Sequence, residues 1–233
     1  MMNFKEGEII AIDKPYGMSS FGALAHIRFL CSKKQGSKVK MGHAGTLDPL
    51  ATGVLILCTG KKTKTIEELQ AHTKEYTATL QLGATTASFD REHEVDGTYP
   101  TDHITHDGIV QVLSTFVGDI QQVPPSFSAC NVGGKRAYQL SRKGKEVKLD
   151  AKPIRIDEIE LTRFDADTMQ ADIRVVCGKG TYIRALARDI GQALGSGAYL
   201  TALRRTRVGD VRVEQCYDFD TFEEWLDNQT IEK

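Results

Sequence analysis

The chain predicts a mixed α+β fold in one domain, on three observations. Tyr76, Ala78, Leu80 and Leu82 alternate with Glu75, Thr77, Thr79 and Gln81, the period-two pattern of a half-buried strand. Ile183, Leu186, Ala187, Ile190 and Leu194 recur at helical spacing along one stripe, with Gly195 as a stop signal. No internal repeat and no low-complexity linker divides the 233 residues, a length that supports a sizeable core.

The other elements follow in order. Glu8–Ile12 reads as a first strand running into the turn Asp13-Lys14-Pro15-Tyr16-Gly17. Ser19 or Ser20 is suited to cap a helix with Phe21, Leu24, Ile27 and Leu30 on one face. Residues 31–44, rich in Lys, Gly and Ser, read as an exposed loop, and Val54–Cys58 as a buried strand. A short helix near Thr65–Gln70 leads to the Lys74–Leu82 strand, and Thr105–Phe116 reads as a helix. Pro124-Pro125 opens a basic, loop-rich stretch to Lys152. Strands follow at Ile154–Phe164 and Met169–Cys177, then the Ile183 helix, then Leu200–Arg204 and Val211–Val213.

Composition narrows the function classes. An apolar fraction of 40% and a charged fraction of 26% are those of an ordinary soluble protein. No apolar run approaches the roughly 20 residues of a membrane span, and the N-terminus lacks a signal-like apolar segment. Five cysteines without a Cys-x-x-Cys pair fit reduced thiols in the cytoplasm. The net charge of −1 hides an asymmetry. Residues 33–64 carry seven lysines against Asp48, residues 131–148 six cations against Glu146, and residues 201–212 four arginines against Asp210. Residues 90–107 and 214–233 are acidic. Each basic block alone reads as a solvated surface. Together, beside the motifs below, they favour a cationic face for phosphates.

Gly45-Thr46-Leu47-Asp48-Pro49-Leu50-Ala51-Thr52-Gly53 places one carboxylate between apolar residues and a proline, closed by glycines and followed by the Val54–Cys58 strand. The proline biases Asp48 toward extended backbone, and the glycines permit turns or close approach. Composition alone leaves open a polar turn whose aspartate binds nearby amides.

The string resembles the central motif of the bacterial pseudouridine synthases that modify uridine 55 in the tRNA T-loop, the TruB type. Other fragments in the right order extend the resemblance over nearly the whole chain. They are Asp13-Lys14-Pro15-Tyr16-Gly17-Met18-Ser19-Ser20, Gly42-His43-Ala44, Lys74-Glu75-Tyr76, and Pro124-Pro125-x-x-Ser128-Ala129 with Gly134-x-Arg136-x-Tyr138. Lys179-Gly180-Thr181-Tyr182-Ile183-Arg184 and Leu203-Arg204-Arg205 complete the set. Two departures stand out. Cys130-Asn131 replaces a lysine found in many relatives, and only 28 residues, acidic overall, follow Arg205 where many relatives carry a PUA-type RNA-binding domain.

The resemblance implies a single catalytic domain with a central mixed, mainly antiparallel sheet flanked by helices and loops. It implies an isomerase that needs no cofactor and no metal, acting as a monomer on the tRNA T-stem-loop. Asp48 would be the catalytic carboxylate, nucleophile or base, with Arg184 keeping it ionised and Tyr76 stacking on the flipped uracil. His43 would fill the space left by the flipped base. Lys14 and Pro15 would support the loop, and Leu203 would wall the uracil. Lys179, Arg204 and Arg136 would join the substrate contacts. Residues 123–152 would form a mobile RNA clamp, and residues 206–233 a short acidic tail.

Without the resemblance, Tyr76 reads as a core aromatic, Arg184 as a snorkelling arginine and His43 as a solvent-facing histidine. Gly60-Lys61-Lys62-Thr63 imitates a phosphate loop but lacks its spacing. His93, His103 and His106 lack a complete metal-ligand pattern. Asp13 and Asp90, weighed as a second acid, are set aside as less enclosed than Asp48. Two rivals remain in view: an RNA-binding or RNA-folding protein, and a family member directed to other RNAs by guide RNA. The intact set His43, Asp48, Tyr76 and Arg184 argues against the first. The lack of a basic C-terminal tail argues against the second.

Overall fold

The computed structural model describes residues 2–128, 131–132, 135–136 and 149–232. In chain order the strands are β1 (Ile9–Lys14), β2 (Met41–His43), β3 (Ala51–Thr59), β4 (Lys74–Leu82), β5 (Ala84–Thr86), β6 (Val95–Thr98) and β7 (Gly118–Gln122). Then come β8 (Asn131–Val132), β9 (Lys135–Arg136), β10 (Lys152–Asp165), β11 (Gln170–Cys177), β12 (Ala198–Val208), β13 (Val211–Arg212) and β14 (Tyr217–Asp218). The helices are α1 (Ser20–Gln35), α2 (Ile66–Ala71), α3 (His106–Ser114), α4 (Ile183–Ala193) and α5 (Phe222–Asp227). The class is α+β, with mixed sheet flanked by helices, as the sequence predicts. The chain packs as two compact units, Met1–Tyr76 with Arg204–Lys233, and Thr77–Leu203.

In the first unit, β3 pairs antiparallel with β1 and β2, while β14 pairs parallel with β1. Val54 to Cys58 are all buried, so β3 is apolar on both faces. Each such Leu or Ile contributes about 1.5–3 kcal/mol relative to exposure. Ser19 caps α1, its Oγ accepting from Gly22 N at 3.0 Å, and Gly36 closes the helix at φ +72°. Leu24, Ile27 and Leu30 are buried as expected, but Phe21 is 66% exposed. One residue past buried Ser20, it lies about 100° around the helix, off the packed stripe.

Two expectations are corrected here. Residues 31–44 are not an open loop: α1 runs to Gln35, Cys31 and Val39 are buried, and β2 adds to the sheet. Residues 206–232 are built into the unit rather than trailing from it. They supply β13, β14 and α5, and Phe219, Phe222 and Leu226 join the core formed by Ile10, Ile12, Ile27 and Leu55. One of their carboxylates and one of their backbone carbonyls meet the first basic block. Lys33 Nζ lies 3.1 Å from Glu223 Oε1, and Lys34 Nζ donates to Asp227 O at 2.7 Å.

In the second unit, β10 pairs antiparallel with β11 and with β7, and α3 packs on β10. Ile154, Ile156, Ile173 and Val175 are buried, as are Ile109 and Leu113 of α3 and Ile183, Leu186 and Ile190 of α4. The exposed side carries ion pairs such as Arg155–Asp157 and Arg163–Asp172, each 2.8 Å, which solvent screening leaves weak. The β5–β6 hairpin and β7 have no clear periodicity in the sequence. Gly134, Tyr138 and Cys130 lie outside the described residues, and Arg136 is described in its backbone only.

Candidate active site

Asp48 lies between β2 and β3, where its carbonyl accepts from Ala51 N at 3.0 Å, with Pro49 and Leu50 forming the turn. Asp at the first position and Pro at the second suit such a turn. Both neighbours of Asp48 are fastened. Buried Ser20 holds Leu47 twice, its Oγ donating to Leu47 O at 2.9 Å and accepting from Leu47 N at 2.8 Å. Gly17 N donates to Pro49 O at 2.8 Å. The Asp-Lys-Pro turn and the N-terminus of α1 therefore clasp the Asp48 turn directly.

Lys14 lies under this clasp, fully buried at the end of β1. Its ammonium donates to Pro15 O at 2.8 Å, Met18 O at 2.6 Å and Pro49 O at 3.4 Å, so one cation ties residues 15–18 to the Asp48 turn. Burial pulls its pKa down to about 8, with the Asp48 charge working in the opposite direction. The unfolded chain holds that proton to about 10.4, so between these values it binds more protons and this group makes stability rise with pH. Catalysis should do the reverse: above pH 8 neutral Lys14 weakens its grip on three carbonyls. Single-turnover rates are expected to fall through an alkaline arm near 8 that is absent from Lys14→Arg. A flat rate from pH 7 to 9.5 in the wild type would remove Lys14 from this role.

His43 ends β2, half-buried, with its Nδ1 buried and unpaired. Burial first, and the Arg205 charge second, lower its pKa, which favours a neutral ring at neutral pH. Arg204 makes a fork on Asp13 (3.1 and 2.6 Å) and donates to Thr52 Oγ1 at 3.2 Å. Asp13 is thus an ion-pair partner in β1 rather than a turn acid. Tyr76 is buried in β4. The adjacent Glu75 accepts from Thr206 Oγ1 at 2.8 Å and lies 3.8 Å from Arg207.

The second unit holds Arg184, Lys179 and Leu203. Arg184 is the second residue of α4 and only 5% exposed, deeper than a snorkelling arginine would sit. Its guanidinium donates to Ser88 O at 3.2 Å and Phe127 O at 2.9 Å, and Nε lies 3.7 Å from Asp90 Oδ2. Asp90, set aside on sequence, is buried and built in. Ser88 Oγ donates to Oδ1 at 2.6 Å, Glu92 N donates to it at 2.9 Å, and Thr86 Oγ1 donates to Asp90 O at 2.7 Å. Phe89 between them adopts φ +62°, a sparsely populated region for a non-glycine residue.

Gln122, also missed on sequence, accepts from Tyr182 N at 2.9 Å and donates to Tyr182 O at 3.2 Å, fixing the start of α4. Ser88-Phe89-Asp90 was the local signal for Asp90, its serine hydroxyl bonding the carboxylate two residues on. Gln122 offered none. Lys179 is exposed in the turn before α4, and Leu203 is half-buried in β12. No group of three or more metal-binding side chains occurs among the described residues. His103 Nε2 lies 2.7 Å from Leu194 O, and His93 packs on Phe127 at 4.6 Å.

Comparison with known proteins adds an independent line. Residues 33–183 match the TruB family pseudouridylate synthase N-terminal domain, and residues 184–233 the tRNA pseudouridylate synthase B C-terminal domain. The chain is 62% identical to tRNA pseudouridine synthase B of Bacteroides fragilis (strain ATCC 25285) over 232 residues, covering 99% of each. It is 45% identical to the protein of that name from Mycobacterium bovis (strain BCG / Pasteur 1173P2), covering 93% of this chain and 72% of the relative. Among solved structures, a chain of a Cbf5–Nop10–Gar1 complex aligns with TM-score 0.68 and 29% identity. That alignment covers 95% of this chain and 56% of the other. A chain of an H/ACA RNP bound to a substrate RNA containing 2′-deoxyuridine aligns with TM-score 0.66 and 27% identity, covering 97% and 56%.

Proposed function

Because this chain belongs to the TruB family of pseudouridylate synthases, we propose that it isomerises uridine 55 of the tRNA T-loop to pseudouridine, with Asp48 as the catalytic carboxylate. The observation that carries the reading is the Asp48 turn, clasped on both sides by Ser20, Gly17 and Lys14. Resemblance over nearly the full length of relatives named for tRNA, against about half the length of the ribonucleoprotein chain, supports tRNA over a guide-directed RNA.

The reaction breaks the N1–C1′ bond, turns the uracil and forms C5–C1′; the C5 proton leaves and N1 gains one. No redox step or activated donor is involved. The carboxylate acts as nucleophile at the sugar or at C6, or as base toward C2′, and each route needs it ionised. Arg184 is assigned as its charge partner by the Gly-Thr-Tyr-Ile-Arg motif. Tyr76 is assigned as the stacking ring, an interaction of about 1–3 kcal/mol toward extruding the base. Neutral His43 takes the space the base leaves. Lys14 and Pro15 support the turn, Leu203 walls the uracil, and Lys179, Arg204 and Arg136 contact the substrate. Arg136 belongs to the clamp of residues 123–152. The enzyme is read as a cytoplasmic monomer that also assists tRNA folding.

The test is release of tritium from C5-labelled uridine in an unmodified tRNA transcript. Release of one equivalent is expected, and none when the T-loop uridine is changed to cytidine. Binding without release, or release that survives the change, would overturn the assignment of reaction or site.

A further inference from the structure

We propose that Arg205 is a positioning residue for the reaction, a buried guanidinium that fastens both ends of the Asp48 segment. It rests on the reading of Asp48 above. Arg205 is 2% exposed and the largest of the fully buried side chains. Strand alternation in β12 sends Arg204 outward to Asp13 and turns Arg205 inward. There Nε donates to Val54 O at 2.8 Å and a terminal nitrogen to Gly45 O at 3.1 Å. Gly45 and Val54 bracket Asp48, so one rigid fork fixes where the segment leaves β2 and where it enters β3.

The backbone repeats the contact. A Cβ at Gly53 would lie 2.1 Å from Arg205 O and 2.8 Å from Arg205 N, at a φ of +106° that only glycine adopts without strain. At Gly45, with φ +102°, a Cβ would sit 3.6 Å from the guanidinium. Gly53 thus makes room for the backbone of Arg205, whereas at Gly45 a Cβ would meet the guanidinium in ordinary contact and the positive φ alone favours glycine. These hydrogen-bond partners are carbonyls, not carboxylates, so the cation acts on its neighbours. It lowers the proton affinity of His43 and opposes the proton on Lys14. Arg205 is therefore linked to the wedge histidine, to the supporting lysine and to the geometry of the carboxylate's loop.

The experiment assays Arg205→Met and Arg205→Lys beside Asp48→Asn, with folding checked by thermal melting. At saturating tRNA, Arg205→Met is expected to lose about 10²-fold in single-turnover rate while tRNA Kd stays within about threefold. The His43 ring should titrate at higher pH by NMR, and the alkaline arm of Lys14 should move up. Arg205→Lys, which keeps the charge but not the fork, should recover part of the rate and leave the His43 titration nearer the wild type. A folded Arg205→Met enzyme with wild-type rate and unmoved titrations would overturn the proposal, reducing Arg205 to a packing residue. If Arg205→Met does not fold, Arg205→Lys decides: a wild-type rate from the single-pronged cation overturns the role of the fork. Full activity in Asp48→Asn would overturn the catalytic reading itself, whatever the Arg205 variants do.

Discussion

Asp48→Asn is expected to abolish turnover, by about 10⁴-fold or more, while tRNA affinity changes only a few fold. Asparagine is accepted at the first position of the turn, so the Ala51 N to Asp48 O bond and the clasp of Ser20 on Leu47 should survive. What disappears is the ionised carboxylate. Lys14 supplies an internal check, because the Asp48 charge opposes the burial that lowers its pKa. Removing that charge should lower the Lys14 pKa further, below about 8, and make it observable by NMR of a labelled lysine. Tritium release and filter binding on the same preparation separate chemistry from affinity. Appreciable turnover by a folded Asp48→Asn protein would exclude Asp48 as the catalytic group.

Arg184→Met is expected to give the largest loss of stability, about 3–5 kcal/mol. The reason is what remains. Asp90 would be buried without its cation, and the carbonyls of Ser88 and Phe127 without their donor. Asp90→Asn added to Arg184→Met should restore part of the loss, because a neutral amide costs less to bury than an unpaired carboxylate. Urea titration of the wild type, both single variants and the double variant measures the coupling. A strictly additive cycle would mean that the 3.7 Å approach carries no energy. Activity should not return with stability in the double variant if Arg184 also serves the reaction. Its recovery would confine Arg184 to a structural role.

Much of this molecule was legible in one dimension because its signals are periodic or local. The alternation around Tyr76, the apolar Val54–Cys58 run, the Ser19 cap and the stripe of α4 each depend on residues within a few positions of one another. The Asp48 segment was legible as a string, since its glycines and proline dictate backbone shape. Other features were not, and three of them show why. Asp90 looked like one acid in an acidic loop, and its enclosure depends on a partner 94 residues further along, at Arg184. Phe21 looked like a core residue because a spacing of three suggests one face, but packing chose a stripe centred elsewhere. The C-terminal segment looked like an acidic tail because its charges outnumber its few aromatics. Yet Phe222 and Leu226 are enough to seat it, once α1 and β1 present a place for them.

The sequence by itself determined the α+β class and the order of most elements, through periodicity and turn preference, and through its motifs it named the residues proposed to carry the chemistry. Tertiary structure alone decided which cation meets which carbonyl or carboxylate: Lys14 on Pro15, Met18 and Pro49, Arg204 on Asp13, Arg205 on Gly45 and Val54, Arg184 on Asp90. The physical reason is that a charged side chain carries no record in the sequence of its distant partner. Burial makes pairing compulsory, and the fold chooses the mate.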